Sequence, residues 1–561
     1  MTTKKTFSKI SRGVLFPVLL ALSLVTSCAQ AFDTQTSPIS GSADDSALVE
    51  TEAEKSALPS SPSIDFTEDD LDSTWLEDTA EIISLKGTSV TEDSEGVIVD
   101  GSLITITASG TYVFHGTLSD GQILVDTTDK DPVRLVLSGA AITSSKSAAV
   151  YIKDAEKVIM ILDTDTENSL SDSDLFEYDD EEEEEPNATI FSKSDLTITG
   201  SGTLHVQASF RHGINCKDGL KIVSGSIDVT SAKDAIRGKD YIAIQSGSFT
   251  IAAGDDALHS DTNLVIDGGT FQIDRSYEGI ESAEITINGG TFHVKAEDDG
   301  INVAGGLDST EDASQGVQNP FSSTGINNLF INGGNIFIDA DGDGIDANAS
   351  ITMTGGNVIV CGPTNNGNGA IDYAGSFTVT GGTLIAAGSS GMAQAPDENS
   401  TQNAVMINAE TSHAAGTIID IQDADENSVL TFAPSKDYTS VVFSSPLFVT
   451  GETYTISYGG TSDGQQTDGM YKGGNVTGSI KSESFTISDP VTIIGQVQQG
   501  MGGMGKGQDP FGQDSQTGDG EGNPRQEDQM PPDGEGFTPP DEENGMPQPP
   551  VRETTSEKES G

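Results

Sequence analysis

Acidic side chains recur at one place of a repeated segment in the middle of the chain. About nine residues after a recurring glycine, the chain reads Lys233-Asp-Ala-Ile-Arg237, Asp255-Asp-Ala-Leu-His259, Tyr277-Glu-Gly-Ile-Glu281 and Asp298-Asp-Gly-Ile-Asn302. If such repeats stack, their carboxylates form columns. Two unit charges about 5 Å apart repel by about 3 kcal/mol at an effective dielectric of about 20. A stacked acidic column therefore needs counter-charge.

Divalent cations that prefer oxygen ligands supply such counter-charge, and the number and flexibility of the carboxylates favour Ca²⁺ over Mg²⁺. The segment Asp339-Ala-Asp-Gly-Asp-Gly344 matches the opening of an EF-hand loop, but its twelfth position is Ser350 instead of Glu. It is in phase with the repeat, so we expect its carboxylates at a corner of a coil. A solvated acidic edge that deters foreign strands is the alternative. The predicted cation ligands are Asp234, Asp255, Asp256, Glu278, Asp298, Asp299, Asp339, Asp341 and Asp343.

The elements that must position these carboxylates follow from the recurring glycine. It returns about every 22 residues from Gly202 to Gly382, with one double step, and apolar and polar residues alternate on both sides of it. This pattern predicts three short strands per coil in an all-β, single-stranded parallel β-helix. We expect interior columns of Phe249, Phe271 and Phe292, and of Ile222, Ile244, Ile266, Ile287 and Ile331.

The less regular strands upstream carry a resemblance to a known family. Gly110-Thr-Tyr-Val-Phe-His-Gly116, Asp120-Gly-Gln-Ile-Leu-Val-Asp126, Leu135-Val-Leu-Ser-Gly139 and the segment 149–162 resemble bacterial extracellular carbohydrate-binding-domain proteins. The resemblance extends over about residues 75–390. It implies a right-handed parallel β-helix of pectate-lyase-like fold that binds plant cell-wall polysaccharides, polygalacturonate and cellulose among them, together with Ca²⁺ and without catalysis.

Basic residues next to the acidic column would suit an acidic polysaccharide. Residues such as Arg237, His259 and Asp346 follow an inward Ile or Leu, so alternation predicts that they face outward. Guanidinium and ammonium groups would then pair with uronate carboxylates. The predicted carbohydrate-binding residues are Arg237, Lys239, Arg275 and Lys295. The lysines could equally be ordinary surface charges.

Two other function classes remain open. A calcium-dependent uronate lyase would need Arg237, Arg275 or Lys295 as base, although no neighbouring pattern singles one out. A structural or adhesive surface rod would use Ca²⁺ only for rigidity. Because the chain has one tryptophan, Trp75, a flat aromatic platform for neutral sugars is not expected.

The N-terminal segment has the pattern of an export signal. Basic residues precede the apolar stretch Val14–Val25, and Val25-Thr-Ser-Cys28 resembles a bacterial lipoprotein cleavage motif. We therefore expect acylation of Cys28 and lipid anchoring at the extracellular face of the envelope, with no membrane contact beyond that anchor.

Asp and Glu number 88 against 27 Lys and Arg, which supports an exported, strongly hydrated protein. At this length we expect one elongated β domain with polar tails. The net charge of −61 argues against nucleic-acid binding and favours cations, or polymers held through cations, as partners of a monomer. The predicted divisions are a signal peptide (1–28), a flexible linker (29–74), the β-helix (75–400, with an acidic loop at 172–187 and an insertion at 305–328), terminal coils or a cap (401–495) and a disordered tail (496–561).

Overall fold

The computed structural model describes residues 60–91, 96–178, 184–304 and 327–496. The described chain is built almost wholly of β-strands, so the all-β prediction is confirmed. Within these ranges, no helix has the length and apolar character needed to cross a membrane.

The described chain begins with two short helical turns and an irregular group of strands. The helical turns are α1 (Glu68–Leu71) and a 3₁₀ turn (Glu77–Thr79). The strands are β1 (Glu81–Gly87), β2 (Ser89–Thr91), β3 (Val97–Asp100), β4 (Leu103–Ile106), β5 (Gly110–Leu118), β6 (Gln122–Asp126), β7 (Val133–Thr143), β8 (Val150–Asp154), β9 (Val158–Leu162) and β10 (Glu167–Ser171).

A regular stack of coils follows. Its strands are β11 (Ala188–Ser192), β12 (Leu196–Gly200), β13 (Thr203–Ala208), β14 (His212–Cys216), β15 (Gly219–Ile222), β16 (Ser226–Ser231), β17 (Ile236–Gly238), β18 (Tyr241–Ile244), β19 (Ser248–Ala252), β20 (Leu258–Ile266), β21 (Thr270–Ser276), β22 (Ile280–Ile287), β23 (Thr291–Ala296), β24 (Ile301–Val303), β25 (Leu329–Ile331), β26 (Asn335–Ala340), β27 (Ile345–Ala347), β28 (Ile351–Met353), β29 (Asn357–Cys361), β30 (Asp372–Tyr373), β31 (Phe377–Val379) and β32 (Thr383–Gly388).

The last described strands form a C-terminal unit. They are β33 (Ala404–His413), β34 (Ile419–Gln422), β35 (Ser428–Phe432), β36 (Tyr438–Ser444), β37 (Thr453–Tyr458), β38 (Thr461–Ser462), β39 (Gln465–Thr467), β40 (Met470–Lys472), β41 (Val476–Thr477), β42 (Ile480–Thr486) and β43 (Val491–Ile494).

Parallel pairing between successive coils produces three long faces. The A sheet contains β10, β13, β16, β19, β21, β23, β26, β29 and β32. The B sheet contains β11, β14, β17, the first part of β20 and of β22, β24, β27 and β30. The C sheet contains β9, β12, β15, β18, the second part of β20 and of β22, β25, β28 and β31. One strand of each sheet per coil gives a solenoid-like architecture.

The recurring glycines occupy the turn that leads into the A sheet. Gly225, Gly247, Gly269 and Gly290 have φ between 105° and 136°, a backbone region that side-chain-bearing residues rarely adopt. One repeat of the sequence therefore corresponds to one coil, and each glycine lies at the same corner of its coil.

The interior consists of the predicted columns. The rings of Phe249, Phe271 and Phe292 stack with centroids 4.5 Å apart and planes 1° from parallel. The isoleucine column from Ile222 to Ile331 is also in register across five coils, and its members are at most 1% exposed. These column predictions are confirmed.

Residues 60–80 form a strap across the outside of the C sheet. Asp70 in α1 is fully buried and accepts hydrogen bonds from Thr197 (2.6 Å) and Lys221 (3.1 Å), besides its ion pair with Lys157. Further along, the Trp75 indole donates to Asp163 at 3.1 Å and packs over an outward apolar cluster. The predicted flexible linker therefore ends earlier than residue 74, and its described part is bound to the coils.

The segment 401–495 was predicted to form terminal coils or a cap, and its strands pair largely antiparallel. Strand β36 pairs antiparallel with both β32 and β33, so it covers the edge of the last A-sheet strand. A second sheet in the order β39-β40-β35-β34-β37-β42 packs on the outward side of β29 and β32. Ile359, Cys361 and Ile385 point outward from these strands and are buried under it.

Replacing the buried strap carboxylate tests how much the strap contributes to stability. Asp70→Ala leaves Lys157 and Lys221, both less than a fifth exposed, without their shared anion. We expect a loss of about 3 kcal/mol in the free energy of unfolding, measured by urea denaturation. The exposed neighbour Asp69 supplies the matched control, Asp69→Ala. Equal stability of the two variants would show that the strap is not held by this carboxylate.

Candidate functional site

Two polar columns run side by side where the chain enters the B sheet. The corner column consists of the residues two positions before each inward Ile or Leu, and hydrogen bonds between successive corners keep it in register. Its members are His212, Asp234, Asp256, Glu278, Asp299 and Asp343. The strand column follows those apolar residues and consists of Asn215, Arg237, His259, Glu281, Asn302, Asp346 and Asp372.

Basic side chains compensate the first half of the columns. Asp234, about 1% exposed, lies 3.2 Å from His212 Nδ1 and 3.0 Å from Arg237 Nη1. Although burial disfavours its charged form, these neighbours and His259 hold the pKa of Asp234 well below its usual range. Here the acidic column needs no external cation.

His259 is the last base in the columns. Its Nδ1 lies 2.8 Å from both Asp256 Oδ2 and Glu281 Oε2, and its Nε2 lies 3.3 Å from Asp261 Oδ1. Burial opposes its protonation, but these three carboxylates raise the pKa of His259 to about 12. It is therefore an imidazolium that shares its charge among several anions.

The strand column is not the exposed outward surface that alternation predicts. His259 is fully buried, and Glu281 and Asn302 are 7% and 8% exposed. The reason is that corner side chains three residues earlier fold over the short B-sheet strands, as the contact of Arg237 with Asp234 shows. These side chains form a packed polar ladder instead of a contact surface.

The second half of the columns is mostly acidic, and His259 contacts Glu281 at its start. From Glu278 upward, the two columns hold carboxylates and the amide of Asn302, and one ligand oxygen each of Asp299, Asp343 and Asp346 lie within 4.8 Å of one another. We call Glu278, Glu281, Asp299, Asp343, Asp346 and Asp372 the acidic half. Within the described ranges, no Lys or Arg side chain forms an ion pair with any of them.

Burial and mutual repulsion act on the carboxyl groups of Glu278, Asp299, Asp343 and Asp346. Burial, followed by neighbouring carboxylates, raises the pKa of Asp299 to about 8, of Asp346 to about 7 and of Asp343 to about 6. Burial and Glu281 likewise raise the pKa of Glu278 to about 8. A bound cation would stabilise the charged forms that this geometry disfavours.

A glycine creates the space in which these oxygens converge. A Cβ at Gly342 would lie 2.2 Å from Asp298 Oδ1 and 2.5 Å from Asp299 Oδ1. Asp299 also accepts a hydrogen bond from the Asp343 amide at 2.6 Å, which fixes the carboxylate at the corner. The donor set, all oxygen and mostly carboxylate, fits Ca²⁺.

The structure gathers some of the predicted cation ligands and separates others. Asp255 pairs with Lys233 at 2.8 Å, and Asp298 interacts with the Tyr277 hydroxyl, whose pKa it raises to about 12. Asp339 and Asp341 lie outside the carboxylate cluster and contact Lys436 at 2.7 and 2.8 Å. The EF-hand-like spacing therefore does not produce one site, because the strand β26 and the following corner point the three carboxylates in different directions.

The predicted carbohydrate-binding residues are also dispersed. Arg237 is 15% exposed and bound to Asp234 and Asp261, so its guanidinium is engaged within the ladder. Lys239, Arg275 and Lys295 are exposed. Lys239 follows the last residue of β17, and its amide bonds to Cys216 O just as the amide of Lys217 bonds to Ser192 O one coil earlier. A short lysine column thus lies at the far end of the B-sheet strands.

Sequence reasoning did not include His212, Glu281, Asp346 and Asp372 among the site residues. All occupy the two column positions, so counting residues from each inward Ile identifies them. The predicted lipidation residue Cys28 lies outside the described residues, as does nearly all of the insertion at 305–328.

Comparison with known proteins shows that the coils are similar in sequence to a carbohydrate-binding family. A family model described as carbohydrate-binding domain-containing protein matches residues 100–369. This chain is similar to that family over its coils. A relative with the same description from Acetivibrio thermocellus is 42% identical over 138 residues, which are 25% of this chain and 48% of the relative. The match therefore spans about half the length of that relative.

A solved structure is also similar. It is described as the polysaccharide lyase-like protein from C. thermocellum, gadolinium derivative, and is 29% identical. The comparison covers 53% of this chain and 96% of the other, with a TM-score of 0.34.

The raised pKa values predict a pH dependence of stability in the absence of metal. Between the unfolded pKa near 4 and the folded values up to about 8, the folded protein binds more protons than the unfolded chain. Stability from these groups is thus present at low pH and is lost as the pH rises through their folded pKa values. In chelator, the melting temperature should fall from about pH 5 to about pH 8.5.

Asp299→Asn should lessen that fall and raise the melting temperature at high pH by about 2–5 °C, because it removes one buried negative charge. The exposed Asp274 supplies the control Asp274→Asn. Identical profiles for both variants would mean that the acidic half does not govern the pH response.

Proposed function

We propose that this protein is a non-catalytic, calcium-dependent binder of acidic polysaccharide, built on a right-handed parallel β-helix and lipid-anchored through Cys28 at the cell exterior. The match of residues 100–369 to a carbohydrate-binding family supports carbohydrate as the ligand class. The in-register pairing of three strands per coil supports the β-helix.

The observation that carries the cation is the Asp299–Asp343–Asp346 cluster. Its carboxylates converge at one corner, are substantially buried, and have raised pKa values without a nearby ammonium or guanidinium among the described residues. Ca²⁺ bound there would retain open coordination positions, since the corner is partly exposed. A uronate carboxylate could complete its coordination.

Lysines complete the proposed polymer surface. Lys217 and Lys239 repeat at equivalent positions of adjacent coils, roughly 4.8 Å apart. Lys217 also contacts Glu185 at 3.0 Å, whereas Lys239 is exposed at the end of β17. Ammonium groups at this end of the B-sheet strands would attract the carboxylates of a uronate chain.

Calcium titration tests the assigned ligands. Asp343→Asn preserves side-chain size but removes one charge from the cluster, so Ca²⁺ affinity should fall at least about tenfold by calorimetry on chelator-stripped protein. Asp339→Asn is the matched control, because Asp339 lies four residues earlier, on β26, and is paired with Lys436. Equal losses in both variants, or none in either, would contradict the assignment.

Polymer binding tests the function itself. Polygalacturonate should be retained by the protein in Ca²⁺ and released in chelator, with no unsaturated product detected by ultraviolet absorbance. Lys239→Ala should weaken retention about threefold to tenfold by removing one positive charge of the lysine column. Lys130→Ala, which alters an exposed lysine that follows β6 and is paired with Glu156, provides the control. Accumulation of unsaturated product would instead establish a lyase.

A further inference from the structure

A cleft of about 510 Å³ lies between the A sheet and the C-terminal unit, away from the acidic half. Such a volume falls in the range of about 300–1,000 Å³ that is usual for small-ligand sites. Phe337 of β26 forms one side, and residues of the β35–β36 loop and the β39–β40 turn form the others. The cleft therefore exists only because the C-terminal unit packs against the coils.

Phe337 provides an aromatic surface within the cleft. Its neighbours Ile336 and Ile338 point into the solenoid and are 2% and 0% exposed, so alternation directs Phe337 outward. One and two coils further, Ile359 and Ile385 occupy the same column, but the C-terminal unit buries them at 8% and 0% exposure. Phe337 is the point where this apolar column emerges from under that cover.

Polar residues line the same cleft as the ring. Gln466 and Asp468 belong to the β39–β40 hairpin, whose two-residue turn Asp468-Gly469 has φ of 50° and 80°, as a tight hairpin turn requires. Asp468 Oδ1 lies 3.2 Å from His293 Nε2 on the adjacent A-sheet strand. Ser435 contributes a hydroxyl from the opposite loop. Carboxylate, amide and hydroxyl groups around an aromatic face form a set that matches the alternating C–H and O–H surfaces of a sugar ring.

The charges near the cleft select against an anionic ligand. Lys436, next to Ser435, contacts both Asp339 and Asp341, so its ammonium is already neutralised. Asp468 adds a further carboxylate at the wall. A uronate would meet a net negative rim, whereas a neutral sugar would incur no such repulsion.

We infer that this cleft binds a neutral sugar residue of a polysaccharide, with Phe337 as the stacking surface and Gln466, Asp468 and Ser435 as hydrogen-bonding groups. The inference rests on the proposed carbohydrate-binding function but concerns a separate site. This cleft would bind a neutral sugar, whereas the acidic half would bind an acidic polysaccharide through Ca²⁺. It requires no cation, because the acidic half lies on the B sheet.

Calorimetric titration of the full chain with cellohexaose, xylohexaose and mannohexaose tests the inference, each in Ca²⁺ and in chelator. At least one of these neutral hexasaccharides should bind in both conditions with a dissociation constant below about 1 mM. Phe337→Leu, which preserves apolar packing, and Gln466→Ala, on the exposed hairpin, should each weaken that binding about tenfold.

Gln272→Ala is the matched control, because Gln272 is an exposed glutamine two coils from Phe337 in the same outward column. Hexagalacturonate binding in Ca²⁺ should be unchanged in all three variants, so failure of the acidic site and failure of the cleft give different results. The inference is overturned if no neutral hexasaccharide binds, if binding disappears in chelator, or if neither Phe337→Leu nor Gln466→Ala weakens it relative to Gln272→Ala.

Discussion

Parallel stacking in register is the constraint on which the rest of this structure depends. Each residue lies beside its equivalents one coil above and one below, roughly 4.8 Å away. The favourable contact of an apolar residue is therefore repeated from coil to coil, as in the stacked rings of Phe249, Phe271 and Phe292. A charged residue is repeated in the same way, and the repulsion between like charges grows with every coil that carries one at this position.

The corner and strand columns show two ways of meeting that repulsion. In the first coils His212, Arg237 and His259 lie among the carboxylates and compensate part of their charge within the protein. Beyond Glu278 the two columns hold carboxylates and the Asn302 amide, and burial raises the pKa values of Asp299, Asp343 and Asp346. Protonation can relieve the charge at low pH, and a cation can relieve it at neutral pH. A cation site at this place would follow from what the coils repeat and would need no separate binding loop.

Much of the solenoid could be predicted because register follows from period. Counting from one glycine to the next placed Asp234, Asp256, Glu278 and Asp299 in one column, as the structure does. Burial of the strand column could not be predicted by alternation, since it depends on where corner side chains such as Asp234 fold. The partners of Asp339 and Asp341 were also hidden, because Lys436 is about 95 residues away in sequence.

The strap, and the packing of the predicted terminal segment on the outward face of the coils, could not be read from the sequence for a related physical reason. Neither repeats the coil, and each buries outward residues that a solenoid alone would expose. Ile159 and Ile161 lie under Trp75, and Ile359 and Cys361 lie under the C-terminal sheet. A run of apolar residues on both faces of a strand, as in β9 and β29, is the signal that such a covering exists.

These coverings also determine where ligands can reach the coils. The strap occupies the C sheet, and the C-terminal unit occupies the last A-sheet strands, so the partly exposed corner of the B sheet keeps its carboxylates accessible. Lys436 neutralises Asp339 and Asp341 immediately before the corner that holds Asp343. The C-terminal unit therefore removes two carboxylates from competition for a cation, and the charge that remains unpaired is concentrated at Asp299, Asp343 and Asp346.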